Sequence, residues 1–101
     1  MSVTLQPGVG AEIKALMRAG ESFVFSWTAD APVHFDMHGE NPNDGDSYAS
    51  YWRDRSQTAA HGSFSAPYDG THGWYWKNPG SAPVTVTVKV CGYYEKLYQP
   101  Q

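Results

Sequence analysis

Pro83-Val84-Thr85-Val86-Thr87-Val88-Lys89-Val90-Cys91 decides the fold class. Valine recurs at every second position, with Thr85, Thr87 and Lys89 between. Successive side chains of a strand point to opposite faces, so this stretch lays one apolar face on a core and one polar face in water. β-Branched side chains also suit a pleated surface better than a helix. The same period recurs outward from there. Phe23, Phe25 and Trp27 alternate with Ser22, Val24 and Ser26; Val33, Phe35 and Met37 alternate with His34, Asp36 and His38. His72, Trp74 and Trp76 alternate with Gly73, Tyr75 and Lys77. Ala11, Ile13, Ala15 and Met17 point one way and Glu12, Lys14 and Arg18 the other, but Leu16 spoils the polar face, so Ala11–Arg18 is compatible with strand or helix.

Turn signals break these runs at short intervals: Pro7-Gly8, Ala19-Gly20, Ala29-Asp30-Ala31-Pro32, Asn41-Pro42-Asn43-Asp44-Gly45, Asp69-Gly70 and Asn78-Pro79-Gly80. Short strands with frequent turns predict a sandwich or barrel, and full alternation predicts sheets with one wet face each. The polar stretch Gly39–Asp46 reads as a long loop suited to carrying function, followed by a short helix or edge strand over Tyr48–Trp52. The expected core is Ile13, Phe23, Phe25, Trp27, Val33, Phe35, Phe64, Trp74, Trp76, Val84, Val86 and Val88. Trp74 and Trp76 share a face with His72, so either that histidine is partly buried or the strand twists at Gly73.

At 101 residues the chain is the size of one domain, 1–101, with 97–101 expected as a flexible tail. The net charge of −3 and the lack of a basic stripe argue against nucleic acid as a partner. No apolar run approaches the ~18 residues a membrane helix needs, and no charged-then-apolar leader opens the chain. The expectation is therefore a cytoplasmic protein or the soluble part of a longer anchored chain. Cys91 is the only cysteine, which excludes an internal disulfide and a multi-thiolate zinc site.

Several blocks together resemble a bacterial family. They are Val3-Thr4-Leu5-Gln6-Pro7-Gly8 with Gly10-Ala11-Glu12-Ile13-Lys14, then Phe25-Ser26-Trp27-Thr28, and Val33-His34-Phe35-Asp36 with His38-Gly39-Glu40. Later come His72-Gly73-Trp74-Tyr75-Trp76-Lys77-Asn78 and Pro83-Val84-Thr85-Val86-Thr87-Val88. The chain resembles the soluble domain of bacterial "transmembrane anchor" proteins, which is distantly similar to the GOLD β-sandwich. The resemblance implies a periplasmic domain held by an N-terminal membrane helix that is absent from this chain; it implies no known activity. The expected fold is an all-β, antiparallel two-sheet β-sandwich, GOLD- or jelly-roll-like, with about eight short strands.

Four constellations could carry chemistry. The first is His34-x-Asp36-x-His38, whose side chains share one face of a strand. Imidazoles with a carboxylate suit Zn, Cu or Ni, with Glu40 extending the row; Asp36 could instead orient a ligating histidine. The plainer reading is the wet face of a half-buried strand. The second adds His61 and His72, should their segments adjoin the first. His38, His61 and His72 each precede a glycine, which permits close backbone approach, although His-Gly pairs also sit at ordinary strand ends. The third is a Cu(I) site joining Met37 and His38 near Trp74 and Trp76, but alternation puts Met37 on the face opposite His34 and His38. The fourth is an aromatic patch: four tryptophans and seven tyrosines exceed what so small a core needs. Tyr48, Tyr51, Trp52, Tyr68 and Tyr75 are the candidates for ligand or partner contact, against the plainer reading that tyrosines cover the sandwich rims.

Catalysis finds no nucleophile elbow, phosphate loop or assignable carboxylate pair. The reading is a non-catalytic envelope module that binds a partner protein or small ligand. The alternative is a transition-metal domain built on His34, Asp36 and His38 with His61 or His72. A metal-dependent enzyme on a cupin-like jelly roll is a distant third.

Overall fold

The computed structural model describes residues 1–42 and 47–100. The strands are β1 (Ser2–Leu5), β2 (Gly10–Met17), β3 (Ser22–Asn41), β4 (Ser47–Ser65), β5 (Gly70–Lys77), β6 (Val84–Gly92) and β7 (Lys96–Tyr98). Every pairing is antiparallel. Among the described residues no helix is long and apolar enough to cross a membrane.

Two strands are long, and they build the sandwich. The first half of β3 pairs with β6, from Phe23↔Gly92 to Ala29↔Val86. Its second half pairs with β5, from His34↔Lys77 to Glu40↔Thr71. β4 follows β3 through both halves. One layer is thus β1, β6, the first half of β3 and the end of β4. The other is the start of β4, the second half of β3, then β5, β2 and β7. Ring contacts close the layers on each other: Phe25 meets Trp74 at 5.3 Å and Trp27 meets Trp76 at 5.9 Å.

The expected break at Ala29-Asp30-Ala31-Pro32 is a corner and not a chain reversal. Thr28 faces Ala59 and Val33 faces Gln57, so β3 holds extra residues that bend it from one layer to the other. Pro32 is tolerated where the ladder is interrupted, and Asp30 Oδ1 accepts the Thr85 amide at 2.9 Å, pinning the corner to β6. Seven strands, two of them long, therefore replace about eight short ones. Of the ambiguous stretch Ala11–Arg18, Ala11–Met17 is strand, with Ile13, Ala15 and Met17 inward, and Arg18 lies just past its end. Gly39–Asn41 continue β3, Pro42 follows its end, and Tyr48–Trp52 lie in β4, which is edge strand and not helix; residues 43–46 of the expected functional loop lie outside the described residues. Leu97 and Tyr98, expected in a loose tail, pair with Ala15 and Lys14.

The core contains every expected residue except Phe64, which is only partly buried because it sits on the edge strand β4. Val3, Leu5, Ala15, Met17, Met37, Ala60 and Ala66 join it. Buried Asn78 is fully used: its amide donates to Leu5 O at 3.0 Å and Ala82 O at 2.7 Å, and its Oδ1 accepts the Gly80 amide at 2.8 Å. By contrast, the indole N–H groups of Trp27, Trp74 and Trp76 are buried with no partner among the described residues. Each such donor costs about 1–3 kcal/mol, a cost the burial of three large rings must exceed.

Candidate functional site

Inward side chains of β2, β3 and β5 fill the core, so their alternates meet water on the outer face of that layer. The register places Lys14 beside Gly73 beside His38, and Glu12 beside Tyr75 beside Asp36. Strands two apart are separated by roughly 9.5 Å, too far for ordinary neighbours to touch. Gly73 removes the intervening side chain. A Cβ there would overlap the Ile13 carbonyl oxygen and lie 2.9 Å from Lys14 Cα.

Side chains from β2 and β3 converge over that gap. Lys14 Nζ donates to Glu40 Oε1 at 2.7 Å and lies 3.6 Å from Glu12 Oε2. His38 Nε2 lies 3.4 Å from Glu12 Oε1 and 3.7 Å from Glu40 Oε1. Burial alone would lower the Lys14 ammonium, but the Glu40 hydrogen bond and the charges of Glu12 and Glu40 outweigh it and hold its pKa above 10.5. The same Lys14 hydrogen bond holds the Glu40 carboxyl below 4.5, against the opposing effect of its partial burial. His38 is only 4% exposed because Tyr48 stacks on it, with ring centroids 4.7 Å apart. Its Nδ1 bonds the Asp36 carbonyl at 3.2 Å.

Asp36 is a hub of acceptance. Its carboxylate takes the Tyr48 hydroxyl on one oxygen and the Ser50 hydroxyl at 2.6 Å on the other. Partial burial, then the Asp36 bond, push the Tyr48 phenol up to about 12. Past Asp36, towards His34, the same face opens into a groove of about 400 Å³ lined by His34, Phe35, Asp36, Arg53, Asp54, Arg55, Tyr75 and Lys77. The arginines reach it because β4 is irregular here. Its register against β3 slips between Val33 and Phe35 and again between Met37 and His38, and Ser56 sits at φ 56°, a left-handed conformation costly for a side-chain-bearing residue. The Ser56 amide donates to His34 Nδ1 at 3.2 Å.

The expected metal residues do not come together. His34 lies at the groove, Asp36 is held by Tyr48 and Ser50, and exposed His61 pairs with Ser26 in the other layer. His72 is fully buried: Nε2 donates to Tyr68 O at 3.0 Å, and Nδ1 is 3.0 Å from the Tyr51 hydroxyl. Burial holds its pKa below 6.5 despite that backbone bond. Among the described residues, the group of three potential ligands whose donor atoms all lie within 4.8 Å of one another is Glu12, His38 and Glu40, which shares with the expectation His38 and the Glu40 that extended its row. Of the expected aromatics, Tyr48 is 53% exposed, Trp52 is exposed with its ring against Phe35, and Tyr75 lines the groove. Tyr51 and Tyr68 turn inward instead, bonding each other at 3.1 Å beside His72, where Gly39 leaves room for their hydroxyls. Glu12, Lys14, Arg53, Arg55 and Lys77 were missed as site residues. For Glu12 and Lys14 the sequence signal was Gly73 between polar strand faces.

No protein-family model matches the chain, and no curated protein matches it. Solved structures do. A de novo designed double-stranded β-helix has a TM-score of 0.54 at 18% identity, over 90% of this chain and 96% of that one. The Yersinia pseudotuberculosis-derived mitogen has a TM-score of 0.54 at 11% identity, over 88% of this chain and 81% of that one. A variant of a family 29 carbohydrate-binding module has a TM-score of 0.50 at 17% identity, over 91% of this chain but 64% of that one. The chain is an antiparallel β-sandwich. Identities this low show the fold alone.

Proposed function

We propose that this chain is a non-catalytic binding module that holds a saccharide in the groove between His34 and Lys77. The observation that carries the reading is the groove's composition: a tyrosine ring, Tyr75, set among planar or charged hydrogen-bonding groups on a sheet face. A phenol ring stacks on the apolar face of a sugar while guanidinium and carboxylate groups bond hydroxyl pairs. Arg53, Arg55 and Lys77 outnumber Asp36 and Asp54 in the lining, which favours sugars that bear a carboxylate or sulfate. Asp36 and His34 already hold hydrogen bonds from Tyr48, Ser50 and Ser56, an arrangement that suits fixed recognition better than proton transfer. The likeness to a carbohydrate-binding module supports the reading at the level of fold.

The test is affinity electrophoresis and calorimetry against neutral and uronate-containing polysaccharides. Retardation by acidic polymers, lost in Tyr75→Ala and weakened in Arg53→Ala, is expected. Failure of every polymer to bind better than about 1 mM would refute it. The sequence resemblance supports a bacterial envelope location as part of a membrane-anchored protein, to be tested by fractionating cells that express the full gene.

A further inference from the structure

We infer that Glu12, His38 and Glu40 form a binding site for a divalent transition-metal ion, separate from the saccharide groove and independent of it. The argument begins with lone pairs. The Asp36 carbonyl only accepts, so the bond at 3.2 Å places the hydrogen on His38 Nδ1. In neutral His38, Nε2 is then an acceptor, and it faces one carboxylate oxygen at 3.4 Å and another at 3.7 Å. Three acceptors converge on one point, an arrangement that calls for a cation. Metal-bound histidines are commonly oriented through their second nitrogen in this way.

The spacing fits a small ion. Two ligands at 2.0–2.1 Å from a tetrahedral zinc lie about 3.4 Å apart. The two separations from His38 Nε2, 3.4 and 3.7 Å, need little adjustment, and all three donor atoms lie within 4.8 Å of one another. The carboxylate side chains are 31% and 44% exposed while His38 is 4% exposed, so the site is anchored from below and open to water above. Three protein ligands would leave a fourth position for water or a ligand group. Imidazole with carboxylates suits Zn, Ni or Cu in the divalent state.

Lys14 is the competitor. Its ammonium contacts the same two carboxylates, which shows that they attract a cation, but it supplies one charge against two. Its side chain is 16% exposed, so an entering metal must displace it from the two carboxylates.

The experiment is a Zn2+ titration of the chelator-treated protein by calorimetry at fixed pH, with folding checked by circular dichroism. Binding of one ion is expected, abolished in His38→Ala and weakened at least roughly tenfold in Glu40→Gln. Lys14→Met should tighten binding severalfold, a gain that adventitious surface binding would not show. Zinc-edge absorption should report one nitrogen and two carboxylate ligands. No binding tighter than about 100 µM in either wild type or Lys14→Met would overturn the inference. So would undiminished binding in folded His38→Ala.

Discussion

Gly73→Ala is the substitution on which the most structure depends. The new methyl group would overlap the Ile13 carbonyl oxygen and sit 2.9 Å from Lys14 Cα and 3.0 Å from the Ile13 carbonyl carbon. All three are backbone atoms, so no rotamer change relieves the clash. β2 must retreat from β5 by more than about 1 Å to restore van der Waals contact. That movement falls in the middle of an eight-residue pairing, between Gly10↔Lys77 and Met17↔Gly70. It stretches the flanking ladder bonds past useful length, at about 1 kcal/mol each, and strain in the packed core adds about 1–3 kcal/mol. Loss of glycine's freedom in the unfolded chain returns about 0.4–1 kcal/mol. The net expectation is about 3 kcal/mol of destabilisation, which in a domain this size lowers Tm by about 12–24 °C. Urea unfolding followed by tryptophan fluorescence measures it. Gly62→Ala is the control: its Cβ would meet only the Phe25 ring, at 3.4 Å, and stability should change little. If Gly73→Ala costs less than about 1 kcal/mol, the close approach of β2 and β5 is not what fixes this glycine.

Two further outcomes follow from buried polar groups. His72 is held neutral by burial, with its folded pKa below 6.5. The unfolded chain takes up a proton near 6.5 that the folded chain refuses, so this contribution to stability is complete above about 6.5. It falls by up to about 1.4 kcal/mol per pH unit below that, until the lower folded pKa is reached. Urea midpoints should drop between about pH 7 and pH 5, and His72→Phe should remove part of the drop; an unchanged slope would assign it to other groups. Asn78→Ala deletes three hydrogen bonds and strands the buried Leu5 carbonyl, for a loss of about 3 kcal/mol by urea unfolding. A loss within error of zero would mean that water replaces the amide.

Strand periodicity made the core legible. Val84, Val86 and Val88, Phe23, Phe25 and Trp27, and Val33, Phe35 and Met37 all turn inward as alternation requires. What alternation could not show was continuity. Ala29-Asp30-Ala31-Pro32 has turn composition whether a chain reverses or only bends, and the difference lies in pairing with β4 and β6 far along the sequence. The metal expectation at His34, Asp36 and His38 used neighbours along one strand, whereas side chains meet more readily across strands. Glu12 and His38 are brought together by register with β5 and by the missing side chain of Gly73. A face can be read from one segment, but a cluster depends on which strands lie side by side. Alternation could not place Tyr51 or Tyr68: Tyr51 lies on an edge strand whose register slips between Met37 and His38, and Tyr68 lies in the bend between β4 and β5.

The ribbon of β3 and β4 crosses both layers, and this bears on how the molecule opens. Where sheets are built from separate strands, one can loosen while the other stays closed, and amide exchange then resolves distinct opening units. Here each layer takes β3 and its β4 edge from halves of the same two strands, and both strands run on through the corner. Loss of one layer frees the end of a strand that the other layer needs. Amides of Phe25 in one layer and Phe35 in the other should therefore exchange in a single cooperative event, with the free energy of global unfolding.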